Sequence, residues 1–258
     1  MAFVHRPDGG RLYVEVHGQE DAEPLVLLEG LGGDVPGWRR NIPTLAAELR
    51  VVAFDFRGNG RSDPPPADPT MATFVDDTVA VLDHAGIPAA HLYGQSFGGM
   101  VAQELALDHP DRARSLILAA THPGHRHAVR SRARVPKGRP WEALYSEAFL
   151  RDHPDEVEED LRSGTPQAEE AARRQWTAMR GFDAYDRLPT LRVPTLVLHG
   201  TEDRTIDPAN ARLLAERIPG AKLVLLEGAG HVYHAERPAE ADRAVLDFVR
   251  RVGATDER

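Results

Sequence analysis

The sequence around Ser96, LYGQSFGG at residues 92–99, most constrains what this chain can fold into. The residues before it indicate the end of a strand, and the good helix formers after it indicate a helix. A strand that becomes a helix within about two residues must turn sharply, and Gly94 and Gly98 leave room for that turn. The pattern therefore predicts that Ser96 lies at the apex of a strained turn, with its hydroxyl projecting above a sheet.

The predicted position of Ser96 favours a role as an oxygen nucleophile. A helix that begins directly after it points unpaired N–H groups and the positive end of its dipole at the same spot. Such fixed donors would meet the negative charge that develops when an oxygen attacks a carbonyl. A bare G-x-S-x-G also occurs in incidental glycine-rich turns, but the flanking strand, the helix and the candidate partners downstream favour the nucleophile.

This pattern is the nucleophile elbow, and the chain resembles the α/β-hydrolase superfamily over nearly its whole length, apart from a variable middle portion. Further landmarks are a D-x-R-G-x-G-x-S loop at residues 55–62 and an H-G-x-x-D loop at residues 199–203. The resemblance implies an α/β-hydrolase fold: a mostly parallel central sheet flanked by helices, with a helical lid insertion. We expect residues 1–123 and 189–258 to form the hydrolase core and residues 124–188 to form the lid.

Asp203 and His231 are the candidate partners of Ser96. In the resemblance, Asp203 matches the acid of the H-G-x-x-D loop and His231 matches the catalytic histidine. Each of the three follows a predicted strand, and parallel strands would bring all three to one edge of the sheet. His231 would then take the proton of Ser96, while Asp203 orients the imidazole. Asp207 is a reserve acid that is better placed to cap the following helix, and no acid stands at residues 121–122, where some relatives carry one.

The backbone N–H groups of Leu31 and Phe97 are the oxyanion-hole donors that the resemblance implies. The loop before Leu31 departs from the family at Glu29, where a histidine is usual. An ionised carboxylate close to the reacting oxygen would oppose the developing negative charge. We therefore expect Glu29 to point away and to hydrogen-bond loop backbone or an arginine such as Arg57. Asp55 and Arg57 are expected to tie their own loop together by charge-assisted hydrogen bonds.

The predicted lid contains basic and aromatic side chains. Its basic residues are Arg126, Arg130, Arg132, Arg134, Lys137 and Arg139. A solvated loop is the simpler interpretation of this run, and attraction of an anionic substrate is the alternative. The aromatic side chains either attach the lid to the core or line a substrate pocket. We expect Trp141, Tyr145 and the elbow residue Gln95 to contact the substrate.

Two further elements are predicted from periodicity in the first half of the chain. The alternation of Leu12, Val14 and Val16 with polar residues predicts an edge strand with one wet face. The apolar residues within 38–49 recur at helical spacing, which predicts one helix over that whole range.

Composition bounds the remaining possibilities. The 258 residues suffice for one large α/β domain, and the formal net charge of −9 argues against a broad nucleic-acid surface. The lack of cysteine excludes disulfides, thiolate metal sites and cysteine nucleophiles, and no H-E-x-x-H pattern is present. No apolar run is long enough for a signal peptide or a membrane span. We expect a cytoplasmic protein with no metal, cofactor, nucleic-acid or membrane partner, and the oligomeric state is open.

The leading interpretation is a serine hydrolase that cleaves a carboxylic ester or lactone of a small to medium substrate through an acyl-enzyme on Ser96. Three alternatives stay open: a carbon–carbon bond hydrolase, a cofactor-free perhydrolase or haloperoxidase, and a ligand-binding signalling protein on the same fold. Ser96 argues against haloalkane dehalogenase and epoxide hydrolase chemistry, because those relatives carry an aspartate at the elbow.

Overall fold

A computed structural model describes residues 2–133 and 138–256, and within them eight strands form one sheet. The strands are β1 (Ala2–His5), β2 (Arg11–His17), β3 (Pro24–Leu28), β4 (Arg50–Phe54), β5 (Ala90–Gln95), β6 (Ala113–Ala119), β7 (Thr195–Gly200) and β8 (Lys222–Leu226). Their order is β1-β2-β4-β3-β5-β6-β7-β8. β2 is antiparallel to both of its neighbours, whereas β3 to β8 are parallel. The mostly parallel sheet predicted from the sequence is confirmed.

Helices cover both faces of this sheet. They are α1 (Ile42–Leu45), α2 (Met71–His84), α3 (Phe97–Asp108), α4 (Glu147–Asp152), α5 (Pro154–Ser163), α6 (Glu169–Arg180), α7 (Ala209–Arg217), α8 (Tyr233–Glu236) and α9 (Pro238–Asp256). One apolar cluster packs α2, α3 and α7 against one face, and a second packs α1 and α9 against the other. Successive strand residues alternate between these clusters, so Val26 joins the first and Leu27 the second. The continuous apolar runs are therefore strands buried on both faces.

The prediction that β2 is an edge strand is wrong. Residues 2–5 form β1 outside it, so β2 pairs on both sides. Leu12 and Val14 pack into the first apolar cluster, but Val16 has 45% of its surface exposed and Tyr13, on the face predicted to be wet, is buried.

The single helix predicted over residues 38–49 is also wrong. The chain forms a 3₁₀ turn over Val35–Trp38 and then the one-turn helix α1. Pro43 explains the break, because its ring and missing N–H exclude it from a helix interior but suit the first turn of α1.

The chain between β6 and β7 forms α4, α5 and α6 with short 3₁₀ turns. Tyr145, Phe149 and Val157 make a small apolar cluster within it, whereas Met179 and Phe182 pack into the main core. This segment thus has its own small core and is also anchored to the sheet layer. Arg134 and Lys137 of the predicted basic run lie outside the described residues. Among the residues that the structure describes, no helix combines the length and apolarity needed to cross a membrane.

Candidate active site

Ser96 lies at the turn between β5, which ends at Gln95, and α3, which begins at Phe97. Its backbone angles are φ 52° and ψ −111°, a conformation that residues with a side chain rarely adopt. Phe97 is the first residue of the helix, where backbone N–H groups have no intrahelical partner. The strained apex predicted from the sequence is confirmed, and the helix N-terminus begins beside it.

Close backbone approach explains the glycines on both sides of Ser96. A Cβ atom on Gly94 would lie 2.3 Å from the carbonyl oxygen of Gly98, and one on Gly98 would lie 2.0 Å from the carbonyl oxygen of Leu28. Two hydrogen bonds of its backbone groups hold Ser96 in place, one to the last residue of β6 and one to a residue that follows β6. Its N–H donates to the Ala119 carbonyl at 2.8 Å, and its carbonyl accepts from the Thr121 hydroxyl at 2.7 Å.

Asp203 and His231 are brought together from the loops after β7 and β8. The Nδ1 atom of His231 lies 2.7 Å from Oδ2 of Asp203, and both side chains are buried. The other carboxylate oxygen, Oδ1, accepts from the N–H groups of Thr205 and Ile206 at 2.8 and 2.9 Å. A nitrogen that faces a carboxylate carries the proton, which leaves Nε2 of His231 as an acceptor. Asp207 lies outside this group, and its side chain accepts from the N–H of Ala209 at the start of α7.

A second imidazole also reaches Asp203. The Nε2 atom of His199 lies 2.9 Å from the same Oδ2 and 3.0 Å from the carbonyl oxygen of Ile206. Because both of these neighbours are acceptors, Nε2 of His199 carries a proton. Burial alone would raise the pKa of Asp203, but His231 and His199 together hold it well below its usual range. The sequence analysis does not identify His199 as a site residue. Its position at the start of the H-G-x-x-D loop, four residues before Asp203, is the one sequence feature that could have indicated it.

A cavity of about 870 Å³ lies over the elbow, and Ser96 and His231 both line it. Leu31 lines it as well, from the loop that follows β3. That loop abuts the serine, because a Cβ on Gly30 would lie 3.5 Å from the Cβ of Ser96. The cavity thus brings together the expected nucleophile, base and oxyanion loop at the carboxyl edge of the parallel strands.

The sequence model for the alpha/beta hydrolase fold matches residues 23–138 and 126–238. The chain belongs to the α/β-hydrolase fold family. The putative carbamate hydrolase RutD of Variovorax paradoxus strain S110 is 33% identical over 94% of this chain and 97% of its own length. The 3-oxoadipate enol-lactonase 2 of Acinetobacter baylyi is 28% identical over 91% of each chain. A thermophilic esterase from Thermogutta terrifontis, solved with malate bound, superposes with a TM-score of 0.84 at 28% identity over 97% of this chain and 98% of that one.

The predicted substrate-contact residues lie in different places in this α/β hydrolase. Gln95 lines the cavity, and its Nε2 lies 3.4 Å from the carbonyl oxygen of His231. Tyr145 also lines it, and its hydroxyl donates to Asp160 at 3.2 Å. Trp141 packs instead against the small cluster of the segment between β6 and β7, outside the described cavity wall. Trp176 of α6 lines the cavity and is not singled out by the sequence.

Glu29 is buried in the wall of the hydrolase cavity. Its Oε1 accepts from the N–H of Gly30 at 2.8 Å, so the expected bond to loop backbone is confirmed. Its Oε2 has no hydrogen-bond partner among the described residues. Burial raises the pKa of this carboxyl to about 7, and the negative charges of Asp34 and Asp55 add to the effect.

The expectation that Asp55 and Arg57 tie their own loop together is confirmed for Asp55 and wrong for Arg57, and the alternative pairing of Arg57 with Glu29 is also wrong. Arg57 forms a bidentate ion pair with Asp77, a fully buried carboxylate of α2. Asp55 accepts from the N–H of Arg61 in its own loop at 2.9 Å and from the N–H of Val35 at 2.7 Å. Arg57 therefore ties the loop to α2, whereas Asp55 ties the loop to itself and to the turn at Val35–Trp38, because both charges are too deeply buried to stay unpaired.

His234, three positions after His231, also lies in the cavity wall and is buried. Its ring lies against Trp38 with 4.6 Å between centroids, and burial lowers its pKa to about 3. In residues 2–133 and 138–256, no group of three or more His, Asp or Glu side chains is arranged to hold a metal ion. His234 is therefore a neutral aromatic wall residue of the hydrolase cavity.

Proposed function

We propose that this α/β hydrolase is a serine hydrolase that cleaves a carboxylic ester or lactone of a small to medium substrate. The observation that carries the proposal is that Ser96 lies on a strained turn in the same cavity as His231, whose imidazole is oriented by Asp203. Serine, acid and histidine follow one another along the chain in the order typical of this fold.

In the proposed mechanism, Oγ of Ser96 attacks the substrate carbonyl while Nε2 of His231 takes the hydroxyl proton. The carbonyl oxygen becomes an oxyanion that the backbone N–H groups of Leu31 and Phe97 stabilise. His231 then returns the proton to the departing oxygen, and the carbon–oxygen bond to that group breaks. The acyl group stays on Ser96 until a water, deprotonated by His231, attacks it. The bond between the acyl carbon and Oγ of Ser96 then breaks, His231 returns the proton to Oγ, and the acyl group leaves as an acid.

The names of the relatives support acyl transfer and suggest which classes of substrate are candidates. One is named as an esterase and one as an enol-lactonase, and both reactions open a carbon–oxygen bond at a carbonyl. The relative named as a putative carbamate hydrolase makes a carbamate a second candidate substrate, because the same attack on a carbonyl applies. The cytoplasmic location expected from the sequence stays a prediction.

We also propose that residues 124–188 act as a lid over the substrate. Leu144 and Tyr145 of this segment line the cavity, as do Trp176 and Met179 of α6. A bound acyl chain would therefore lie between these side chains and the elbow, away from bulk water.

The test is a panel of p-nitrophenyl esters of increasing acyl length, with lactones and phenyl carbamates beside them, run on the wild type and on Ser96→Ala. We expect turnover by the wild type and a loss of at least a thousandfold in the variant, as for removal of other serine nucleophiles. Labelling of Ser96 by a fluorophosphonate provides a second readout. Tight binding of a small molecule without turnover would favour the signalling alternative, and peroxide-dependent product would favour the perhydrolase.

A further inference from the structure

His122 is a buried side chain in the cavity wall that the mechanism above does not use. It stands three positions after the end of β6, next to Thr121, whose hydroxyl bonds the Ser96 carbonyl. The His122 carbonyl accepts from Nε2 of Gln103 at 3.2 Å, and the same amide donates to the Gly99 carbonyl of α3 at 3.0 Å. The backbone at residue 122 is therefore fixed relative to the elbow.

One hydrogen bond determines the tautomer of the His122 imidazole. The backbone N–H of Gly124 donates to Nδ1 at 3.1 Å, so Nδ1 carries no proton. Burial lowers the pKa of His122 to about 4, with a further contribution from His125, whose ring centroid lies 4.8 Å away. The ring is thus neutral near pH 7, and its one proton is on Nε2.

The Nε2–H of His122 is not used by the described protein. Among the residues that the structure describes, none accepts from it, and His122 lines the cavity with 6% of its surface exposed. The donor is therefore available to the cavity, where a water or a substrate oxygen can accept from it. A neutral donor offers no full charge to offset the desolvation of a carboxylate, so an uncharged acceptor suits it best.

We propose that His122 is a specificity-determining residue whose Nε2–H donates to an uncharged oxygen acceptor in the acyl part of the substrate, such as an ether or ketone oxygen. The proposal rests on the proposed ester hydrolysis at Ser96. It narrows the substrate class to acyl groups that carry a second, neutral oxygen in addition to the reacting carbonyl.

Two substitutions separate this role from a structural one. His122→Asn places an amide oxygen near the position of Nδ1, so it keeps an acceptor for Gly124 but has no donor at the position of Nε2. His122→Gln reaches the position of Nε2 with a donor but gives up the acceptor for Gly124. His84→Gln, at an exposed position of α2, is the matched control. Circular dichroism and thermal unfolding check that each variant is folded.

The substrates are p-nitrophenyl hexanoate and its analogues with an ether oxygen at acyl position 3, 4 or 5. The measured quantity is kcat/KM for each ether relative to hexanoate, after division by the rates of hydroxide-catalysed hydrolysis. We expect the wild type to prefer one ether by about tenfold, the value of one hydrogen bond. His122→Gln and His84→Gln should retain this preference, and His122→Asn should lose it while still hydrolysing hexanoate.

Three results would overturn the proposal: no preference at any ether position in the wild type, an unchanged preference in His122→Asn, or loss of the preference in His122→Gln alone. The last result would show that His122 acts by holding the loop in place through its hydrogen bond from Gly124. Failure of the proposed function is distinguished separately, because it appears as no hexanoate turnover in the wild type or as hexanoate turnover that persists in Ser96→Ala. The three results above count against His122 only when the wild type hydrolyses hexanoate through Ser96.

Discussion

The side-chain Oε1 of Gln175 accepts a hydrogen bond from the backbone N–H of Gly32 at 3.1 Å, although 143 positions separate the two residues in the sequence. Gln175 lies in α6 and is buried, whereas Gly32 follows Leu31 in the loop beside Ser96. The segment between β6 and β7 is thus bonded directly to the loop that is expected to supply an oxyanion donor.

Hydrogen bonds among three side-chain amides determine which way the Gln175 amide faces. The Nδ2 of Asn59 donates to the Gly33 carbonyl at 2.7 Å, so its Oδ1 accepts from Nε2 of Gln167 at 2.6 Å. The same Nε2 donates to Oε1 of Gln175 at 3.0 Å. Oε1 of Gln175 therefore accepts two hydrogen bonds, while its Nε2 has no partner among the described residues. Reversing the Gln175 amide would break both bonds.

Replacing Gln175 by methionine should lower kcat and leave KM nearly unchanged. The substitution removes the acceptor for Gly32 without a large change in volume, so the oxyanion loop loses a bond that positions it. We expect a loss of about tenfold in kcat, from a penalty of 1–3 kcal/mol for an unpaired N–H. Thr177→Ala, at an exposed position of the same helix, should stay within twofold of the wild type. A rise in KM at constant kcat would show instead that Gln175 affects only substrate binding.

Replacing His199 by leucine should lower kcat about tenfold or more, whereas glutamine should largely preserve it. Glutamine can place a donor where Nε2 of His199 contacts Asp203, and leucine cannot. Loss of that donor leaves the pKa of Asp203 less depressed and its carboxylate less firmly held, so His231 is oriented less well. Steady-state kinetics with p-nitrophenyl butyrate under identical conditions compare kcat for the two variants. Equal values of kcat would assign His199 to packing alone.

Replacing Glu29 by glutamine should stabilise the protein at alkaline pH. The folded pKa of Glu29 is about 7, above the ordinary value of 4.5, so the folded state favours the protonated form. Its contribution to stability is complete below pH 4.5 and is lost as the pH rises through 7. Glutamine stays neutral, so the variant should gain up to about 3 kcal/mol over the wild type between pH 4.5 and 8.5. Urea unfolding at both pH values measures the gain, and the exposed Glu20→Gln should show none.

Neutralising two arginines of the basic run should leave the turnover of neutral esters unchanged. Arg126 and Arg132 are exposed, so their charges are screened by solvent and salt. We expect kcat/KM of the Arg126→Gln, Arg132→Gln double variant for p-nitrophenyl butyrate to lie within twofold of the wild type at 20 and 200 mM salt. Matched esters with a terminal carboxylate test the other interpretation, since a selective loss with them would show that the run attracts anions.

Two glycine substitutions should change stability in opposite directions. Gly98→Ala would place a Cβ 2.0 Å from the Leu28 carbonyl oxygen, and we expect a loss of about 3 kcal/mol or more. Gly253 lies in α9 with nothing within 4 Å of a new Cβ, so Gly253→Ala should gain up to about 1 kcal/mol of helix stability. Urea unfolding compares the two, and similar losses in both variants would contradict this account of the elbow.

Much of the sheet and the elbow could be predicted because they depend on local signals. The strained turn at Ser96 follows from glycines at fixed spacing, and the strand before it from a short apolar run. The pairing of Arg57 with Asp77 could not be predicted, because it depends on how α2 packs against a loop that is distant in sequence. The shortness of α1 could not be predicted for a different reason. The apolar residues around Pro43 keep helical spacing, and this periodicity indicates a longer helix than the proline allows.

The least predictable residues of the candidate site are those defined by three-dimensional contacts. His199 and His122 stand among many histidines, and only the atoms beside their ring nitrogens distinguish them. The same holds for Gln175, whose role depends on the distance to Gly32. Sequence patterns identify reacting groups by their motifs, whereas the residues that orient them are identified by contacts.

The strand order also has a consequence for the newly made protein. On the ribosome, β5 and Ser96 emerge long before β8, the edge strand whose following loop carries His231. In the proposed mechanism, a nascent chain that has only its first six strands holds a serine without a base. Hydrolysis can therefore begin only when the last strand has docked, so unfinished chains in the cell would be unable to consume the ester.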